Sequence, residues 1–454
     1  MEPLYTPTGA CQAFWRHNKP HYRRLTYFPQ VCIMVRQSVF GSKQEGGGVK
    51  MATPLRTLTP DQRNTFLASF LGWTLDAFDF FVLVFVLKDV AKTFHTDKTH
   101  VAFSIMLTLA LRPVGAFLFG LAAERYGRRT PLMIDIILFS ILELLSGFAP
   151  NLTTFLILRA LFGIAMGGEW GLGASLAMET VPTKARGMLS GILQEGYVVG
   201  YLLAAVVYRF VAPNLGWRWM FFVGVLPALL SLFIRANVKE SPAWQAEQAK
   251  RERVPFGDLL RRHGKLFLYV IVLMTGFNFL SHGTQDLYPT FLQIQHKLPA
   301  ATVSNIAIIY NIGALCGGIF FGTLSQRIGR RKAIIIACVC ALPIIPLWSF
   351  SQSLALLTVG AFLIQFCIQG AWGVIPAHLT ELAPAALRGT LPGLAYQLGN
   401  LIASVNTPLQ TSVAERHGDN YGMAMAIVVT IALVLVPIMA GLGREARDTG
   451  FVTK

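Results

Sequence analysis

Charge is what this 454-residue chain has least of: 14% of its residues are Asp, Glu, Lys or Arg, where a soluble domain carries about 25%. A set of soluble domains of this length is therefore excluded, because their surfaces would have too little charge to hold water. Cysteine offers no framework. Of the six present, Cys11 and Cys32 lie near the N-terminus, and Cys316, Cys338, Cys340 and Cys367 lie in apolar runs. None has metal-ligand spacing with histidine, so inert packing thiols are expected and no metal site. The chain also lacks a Gly-x-Ser-x-Gly elbow, an HExxH pair and a nucleotide loop, which argues against an enzyme.

The first fifty residues lack the apolar runs of the remainder. They hold no signal-peptide core and no helical period, with seven basic and two acidic residues. Residues 1–50 read as an extension that is disordered or not native. Met51 is the expected true start, with Glu45-Gly46-Gly47-Gly48 a segment whose codons would suit a ribosome-binding site.

What is abundant is hydrophobic sequence, 54% of the chain. From Phe66 onward apolar runs alternate with short polar breaks, enough for about twelve spans of roughly 20 residues. The expected spans are roughly 66–88, 101–121, 131–149, 153–176, 188–211, 218–236, 265–290, 302–324, 333–351, 354–377, 390–411 and 421–442. The fold class is thus an all-α polytopic membrane protein, and its partner is a lipid bilayer.

The net charge of +16 does not point to nucleic acid. One set of loops carries Arg125, Arg128, Arg129, Lys184, Arg186, Lys250, Arg251, Arg253, Arg261, Arg262, Arg327, Arg330, Arg331, Lys332 and Arg388. The opposite set carries only Lys88, Lys92, Lys98, Arg209, Arg218, Lys297 and Arg416. The positive-inside rule makes the first set cytoplasmic, with both termini, in the plasma (bacterial inner) membrane. Expected domains are 51–236 and 265–442, two six-helix halves, with a cytoplasmic linker 237–264 and a tail 443–454.

The halves match at one offset of 202 residues. Gly120, Arg125, Gly127, Arg128 and Arg129 align with Gly322, Arg327, Gly329, Arg330 and Arg331. Gly168, Trp170 and Gly171 align with Gly370, Trp372 and Gly373; Glu179, Pro182, Arg186 and Gly187 align with Glu381, Pro384, Arg388 and Gly389. Parallel repeats of this kind place a transporter's site at the midplane between halves.

The run Gly120-Leu-Ala-Ala-Glu124-Arg125-Tyr-Gly127-Arg128-Arg129 resembles the signature loop of the major facilitator superfamily, and Gly322 to Arg331 resembles its second copy. That family usually has Asp at the place of Glu124, and here Gln326 stands at the equivalent place in the second half, so one half alone keeps the carboxylate. The resemblance implies a gate in which Gly120, Glu124, Arg125, Gly127, Arg128, Arg129, Gly322, Arg327, Gly329 and Arg330 take part. The alternative is that the basic residues only fix topology.

Ionisable residues inside a span are costly and are functional candidates: Asp76, Asp79, Arg112, Asp135, Glu143, Arg159, Glu169, Glu195, His282 and Asp286. The densest group is on the seventh span, where Asn278, His282, Gln285 and Asp286 recur at helical spacing on one face. A histidine and a carboxylate one turn apart form a proton site. Arg112 is the candidate anion ligand, since a guanidinium pairs bidentately with a carboxylate. The alternative is a standing salt bridge with Asp76 or Asp79. Gln397 and Asn400 share a face of the eleventh span; Gln194 and Tyr197 are their counterparts on the fifth. Glu195 is either a second proton group or a partner for Arg159.

Asn278, Ser281, His282, Thr284, Gln285, Asp286 and Thr290 fill every fixed position of a motif of the Jen-type fungal lactate/pyruvate permeases, and Tyr396-Gln397-Leu398-Gly399-Asn400 is similar to their second motif. Asp76-Ala-Phe-Asp79 and Gly167-Gly168-Glu169-Trp170-Gly171 resemble the wider sialate/proton symporter group. Together the likeness covers residues 60–442. It implies proton-coupled symport of a small monocarboxylate, with Arg112, Tyr197, Asn278, His282, Gln285, Gln397 and Asn400 as substrate contacts. Asp286, His282, Asp76 and Asp79 would carry the proton. No cofactor beyond the coupling protons and a monomeric state are expected. Sialic acid or an aromatic acid is the alternative substrate, and a membrane sensor of carboxylates is the alternative class.

Overall fold

The computed structural model describes residues 58–248 and 256–451. The expected extension 1–50, its boundary at Met51 and the middle of the expected linker lie outside the described residues.

Every regular element among the described residues is helical. Among the described residues, eleven helical stretches are long and apolar enough to cross a membrane: Pro60–Thr93, Phe103–Tyr126, Arg129–Gly147, Leu152–Thr180, Thr183–Leu215, Trp217–Ile234, Phe256–Ile294, Ala301–Ile328, Arg330–Ser349, Leu354–Leu382 and Tyr421–Leu442. The first begins where its sequence tells it to. Thr59 and Gln62 form a capping box and Pro60 sits in the first turn, where its missing N–H costs nothing. Outward-facing Leu118, Ile134, Phe210 and Ile431 are exposed, as a lipid-facing belt requires.

The expected eleventh span, 390–411, is two shorter helices, Leu391–Ala403 and Asn406–Arg416. Pro408 has no N–H to give the Ser404 carbonyl, so the ladder fails between them. The seventh span also differs from its expected form. Its helix starts at Phe256, inside the expected linker, and breaks after Gln285 before resuming at Tyr288–Ile294. Pro289 explains the break, since it cannot donate to the Gln285 carbonyl. Asp286 therefore sits in an interruption between helices.

The two halves repeat each other in detail. Gly127 and Gly329, one repeat apart, end the second and eighth spans with φ of +91° and +104°. Only glycine holds that conformation cheaply. Glu240 accepts from the backbone N–H groups of Arg128 (2.9 Å) and Arg129 (3.1 Å). In the second half Glu445 accepts from those of Arg330 and Arg331, both at 3.1 Å. Those bonds outweigh the effect of burial and hold the Glu445 carboxyl below the usual glutamate range. The side bearing these turns is called the basic face below.

Candidate functional site

Two helix breaks build one wall of the central site. His282 Nδ1 lies 3.2 Å from Asp286 Oδ2, and His282 Nε2 lies 2.9 Å from Asn400 Oδ1. Thr407, just past the eleventh-span break, donates to Asp286 Oδ2 at 2.8 Å. Gln410 donates to the Gly283 carbonyl at 3.1 Å. The seventh and eleventh spans are thus stitched together around an ionisable pair whose side chains stay 30% and 34% exposed, open enough to meet a ligand.

The rest of the seventh-span face is dispersed. Asn278 donates to the Met274 carbonyl of its own helix (2.8 Å) and is buried. Gln285 donates to Gln365 of the tenth span (3.1 Å), which in turn donates to Thr284 (3.1 Å). Gln397 is buried with its Oε1 unpartnered.

The opposite wall comes from the first half. Arg112 is buried; its Nη2 lies 3.8 Å from Asp76 Oδ2 and 2.7 Å from Met166 Sδ, and its guanidinium stands over the Phe80 ring. At 3.8 Å the Asp76 contact is a loose ion pair, and Nε has no partner. Asp135 and Glu169 also lie in the field of Arg112. Asp79 does not join them. It lies against Gly224 of the sixth span, in the field of Glu143, Asp76 and Arg159. Arg159 pairs with Glu143 at 2.7 Å and donates to Ser146, so Glu195 is not its partner. Glu195 instead faces the eighth span, where a Cβ on Gly318 would lie 2.0 Å from its Oε1.

Tyr197 connects the walls: Arg112, Asp76, Tyr396 and Asp286 all act on it electrostatically. Its ring stacks on Trp73 at 5.5 Å. Trp73, Trp170, Trp372 and Tyr396 continue from there, with Trp170–Tyr396 at 4.7 Å and Trp372–Tyr396 at 5.6 Å, as a buried aromatic floor spanning both halves. The recurrence of Trp170 and Trp372 in the repeat was the sequence signal for this floor; Trp73 and Thr407 had none.

Beneath the floor the halves lock together on the basic face. Glu124 accepts from the Gly389 N–H (2.6 Å), and Gln326 accepts from the Gly187 N–H (3.0 Å). These are one contact repeated by pseudo-symmetry. Arg186 bonds Glu381 at 3.0 Å, Ser175 donates to the Arg388 carbonyl at 2.7 Å, and Arg388 lies 3.8 Å from Glu179. Within each half, Arg128 joins Glu124 and Glu179, and Arg330 joins Glu381. Gly120 lets Thr390 approach, and Gly322 lets Gly187 approach. Arg125 and Arg327 stand apart from this buried network, exposed at the surface. Among the described residues, the hydrogen bonds and ion pairs that cross between halves lie on the basic face and just below the floor, where Ser190 bonds Gly373.

The family model of the Major Facilitator Superfamily matches residues 69–408. The chain belongs to the major facilitator superfamily. It is a multi-pass membrane transporter, not an enzyme, and relatives cover most of its length. It is 31% identical to the carboxylic acid transporter protein homolog of Saccharomyces cerevisiae, over 86% of this chain and 69% of that one. It is 32% identical to the probable 4-methylmuconolactone transporter of Cupriavidus pinatubonensis, over 76% and 82%. It is 28% identical to the sialic acid transporter NanX of Escherichia coli, over 85% and 95%. A crystal structure of a double-tryptophan XylE mutant superposes with a TM-score of 0.70 at 21% identity, covering 85% of this chain and 96% of that one, a likeness of fold.

Proposed function

We propose that this transporter carries a small monocarboxylate of the lactate/pyruvate kind together with a proton, by alternating access, with the basic face in the cytoplasm. One observation carries the reading. The His282–Asp286 pair of the second half is bonded to Asn400, one turn from Tyr396, and the loosely paired Arg112 of the first half meets Asp76, one turn from Trp73, while the Trp73 and Tyr396 rings meet edge-on at 6.4 Å. Arg112, with an unpartnered Nε, is the group to hold the carboxylate, and Asn400 and Gln397 suit its hydroxyl or keto oxygen. Asp286 takes the proton, and His282, oriented by its bond to Asn400, shares or relays it. The carboxylic acid, muconolactone and sialic acid relatives support an acid as substrate. The network on the basic face is the closed gate of this state, and the excess of Lys and Arg there supports its cytoplasmic placement.

Loading both ligands neutralises charge in the central site. A ligand moves the equilibrium only by its differential affinity for the two states, and a proton with a carboxylate satisfies Asp286 and Arg112 together, which favours closure. The aromatic floor favours a second reading within the same class. Its five rings, of which Tyr197 and Tyr396 lie in the field of Arg112, also suit a larger cyclic or unsaturated acid.

The test is uptake of labelled L-lactate into proteoliposomes under an inward pH gradient, with and without Asp286→Asn. Gradient-driven uptake that the variant loses supports both substrate and proton site. Folded protein without lactate uptake, but with uptake of a muconate-like or sialic acid, moves the substrate to the second reading.

A further inference from the structure

The segment after the twelfth span lies outside the site described above, yet it touches both halves. Its first contacts are with the second half. Glu445 caps the ninth span, and Arg447 Nη1 donates to the Arg327 carbonyl at 2.5 Å. Asp448 Oδ1 accepts from Gln326 Nε2 at 2.8 Å. Then the chain crosses over. The Thr449 carbonyl accepts from Arg186 Nη1 of the first half at 3.0 Å. Next comes Phe451, whose ring centroid lies 4.1 Å from the guanidinium carbon of Arg186 and 4.1 Å from that of Arg388.

Arg186 and Arg388 are the same position of the repeat, one from each half. Their charges repel, and both are nearly buried. A ring held between two guanidinium groups offers its negative face to each. Phe451 therefore bridges the halves through their two repeat-related arginines.

The tail also accounts for the departure of Gln326 from the family's acid. In the first half Glu124 only accepts hydrogen bonds. Gln326 accepts from the Gly187 N–H and from Arg330 (2.9 Å), and it also donates to Asp448. A carboxylate at 326 could accept equally well, but it cannot donate and would face Asp448 with like charge. The amide fits a tail that passes here.

The geometry points to residues 443–451 as an intramolecular latch that holds the transporter closed on its basic face, with Phe451 as the wedge. Opening on that face draws Arg186 and Arg388 apart, so the ring can keep at most one of them. The latch thereby biases the population toward the state open on the opposite face.

Hydrogen exchange in lipid nanodiscs tests this without substrate, so the outcome is independent of which acid is carried. The readout is amide exchange in 183–194 and 385–391. Phe451→Ala and a truncation after Arg447 are expected to speed exchange there about tenfold. Phe451→Trp should stay near wild type, because indole is the stronger cation–π partner. Gln326→Glu should also open the face, and adding Asp448→Asn should restore closure. Folded Phe451→Ala and truncated proteins that exchange like wild type would overturn the latch. Failure of Asp448→Asn to restore Gln326→Glu would overturn the tail contact that explains Gln326.

Discussion

Two buried arginines of the first half have opposite surroundings. Arg159 is saturated: Glu143 at 2.7 Å, Ser146 on two nitrogens and the Phe162 ring at 4.1 Å. Arg112 has a carboxylate at 3.8 Å and an idle Nε. On the proposed function, a residue that serves the fold and one that receives a ligand differ in this way. Arg112→Lys keeps the charge but loses the planar fork. Charged hydrogen bonds are worth about 1.5–3 kcal/mol, so uptake at low substrate should fall roughly 10- to 100-fold, measured as Vmax/KM in proteoliposomes. Glu143→Gln should behave oppositely. Removing one partner of a buried pair costs about 3–5 kcal/mol, so the melting temperature should fall while KM holds.

Among the helices, the informative features are interruptions. Pro289 and Pro408 free backbone at the two places where Asp286 and Thr407 meet. Pro408→Ala returns the missing N–H and should straighten the eleventh span, drawing Thr407 away and weakening acid-driven uptake, while total expression stays level. Gly127→Ala meets a different obstacle. Its φ of +91° is hostile to a side chain, and Glu240 Oε2 would lie 2.1 Å from the new Cβ, so the cap on the third span should be lost and thermal stability with it. The Glu445 cap also responds to acid. Its carboxyl is held below the ordinary value, so its contribution is complete above about pH 4.3 and fades as pH falls through its own lower value. Exchange at the amides of Arg330 and Arg331 should rise only in that acidic window.

At the scale of the molecule, one proton with one monoanion moves no net charge. A potassium diffusion potential, worth about 2.3 kcal/mol per charge per 100 mV, should leave uptake unchanged, whereas an inward proton gradient should drive it. Voltage-dependent uptake would refute one-to-one coupling. The twelve-span plan and the repeat were legible in the sequence because hydropathy and a fixed offset are global patterns. So was the joining of His282 to Asp286, which rests on spacing along one helix. The surroundings of Asp79 and the partner of Arg159 were not legible: helix rotation decides them, and hydropathy is blind to rotation. The broken eleventh span was hidden for a related reason, since an apolar window averages across Ser404 and Val405. The tail's course beneath the bundle left no periodic trace, though Gln326 in place of an acid was its visible mark.

The crowd of ionisable groups in the first half also constrains how the chain is made. Asp76, Asp79 and Arg112 lie on the first two spans, and Asp135, Glu143, Arg159 and Glu169 on the third and fourth. Each charged residue at a helix centre opposes entry into lipid by about 2.5–3.5 kcal/mol on insertion scales. The first helix finds the guanidinium that faces Asp76 only when the second has been synthesised, and Glu143 finds Arg159 only with the fourth. During biogenesis these helices are thus better suited to partition as hairpins than singly. A ribosome stalled between the first and second spans should leave a nascent chain that resists membrane integration until Arg112 emerges.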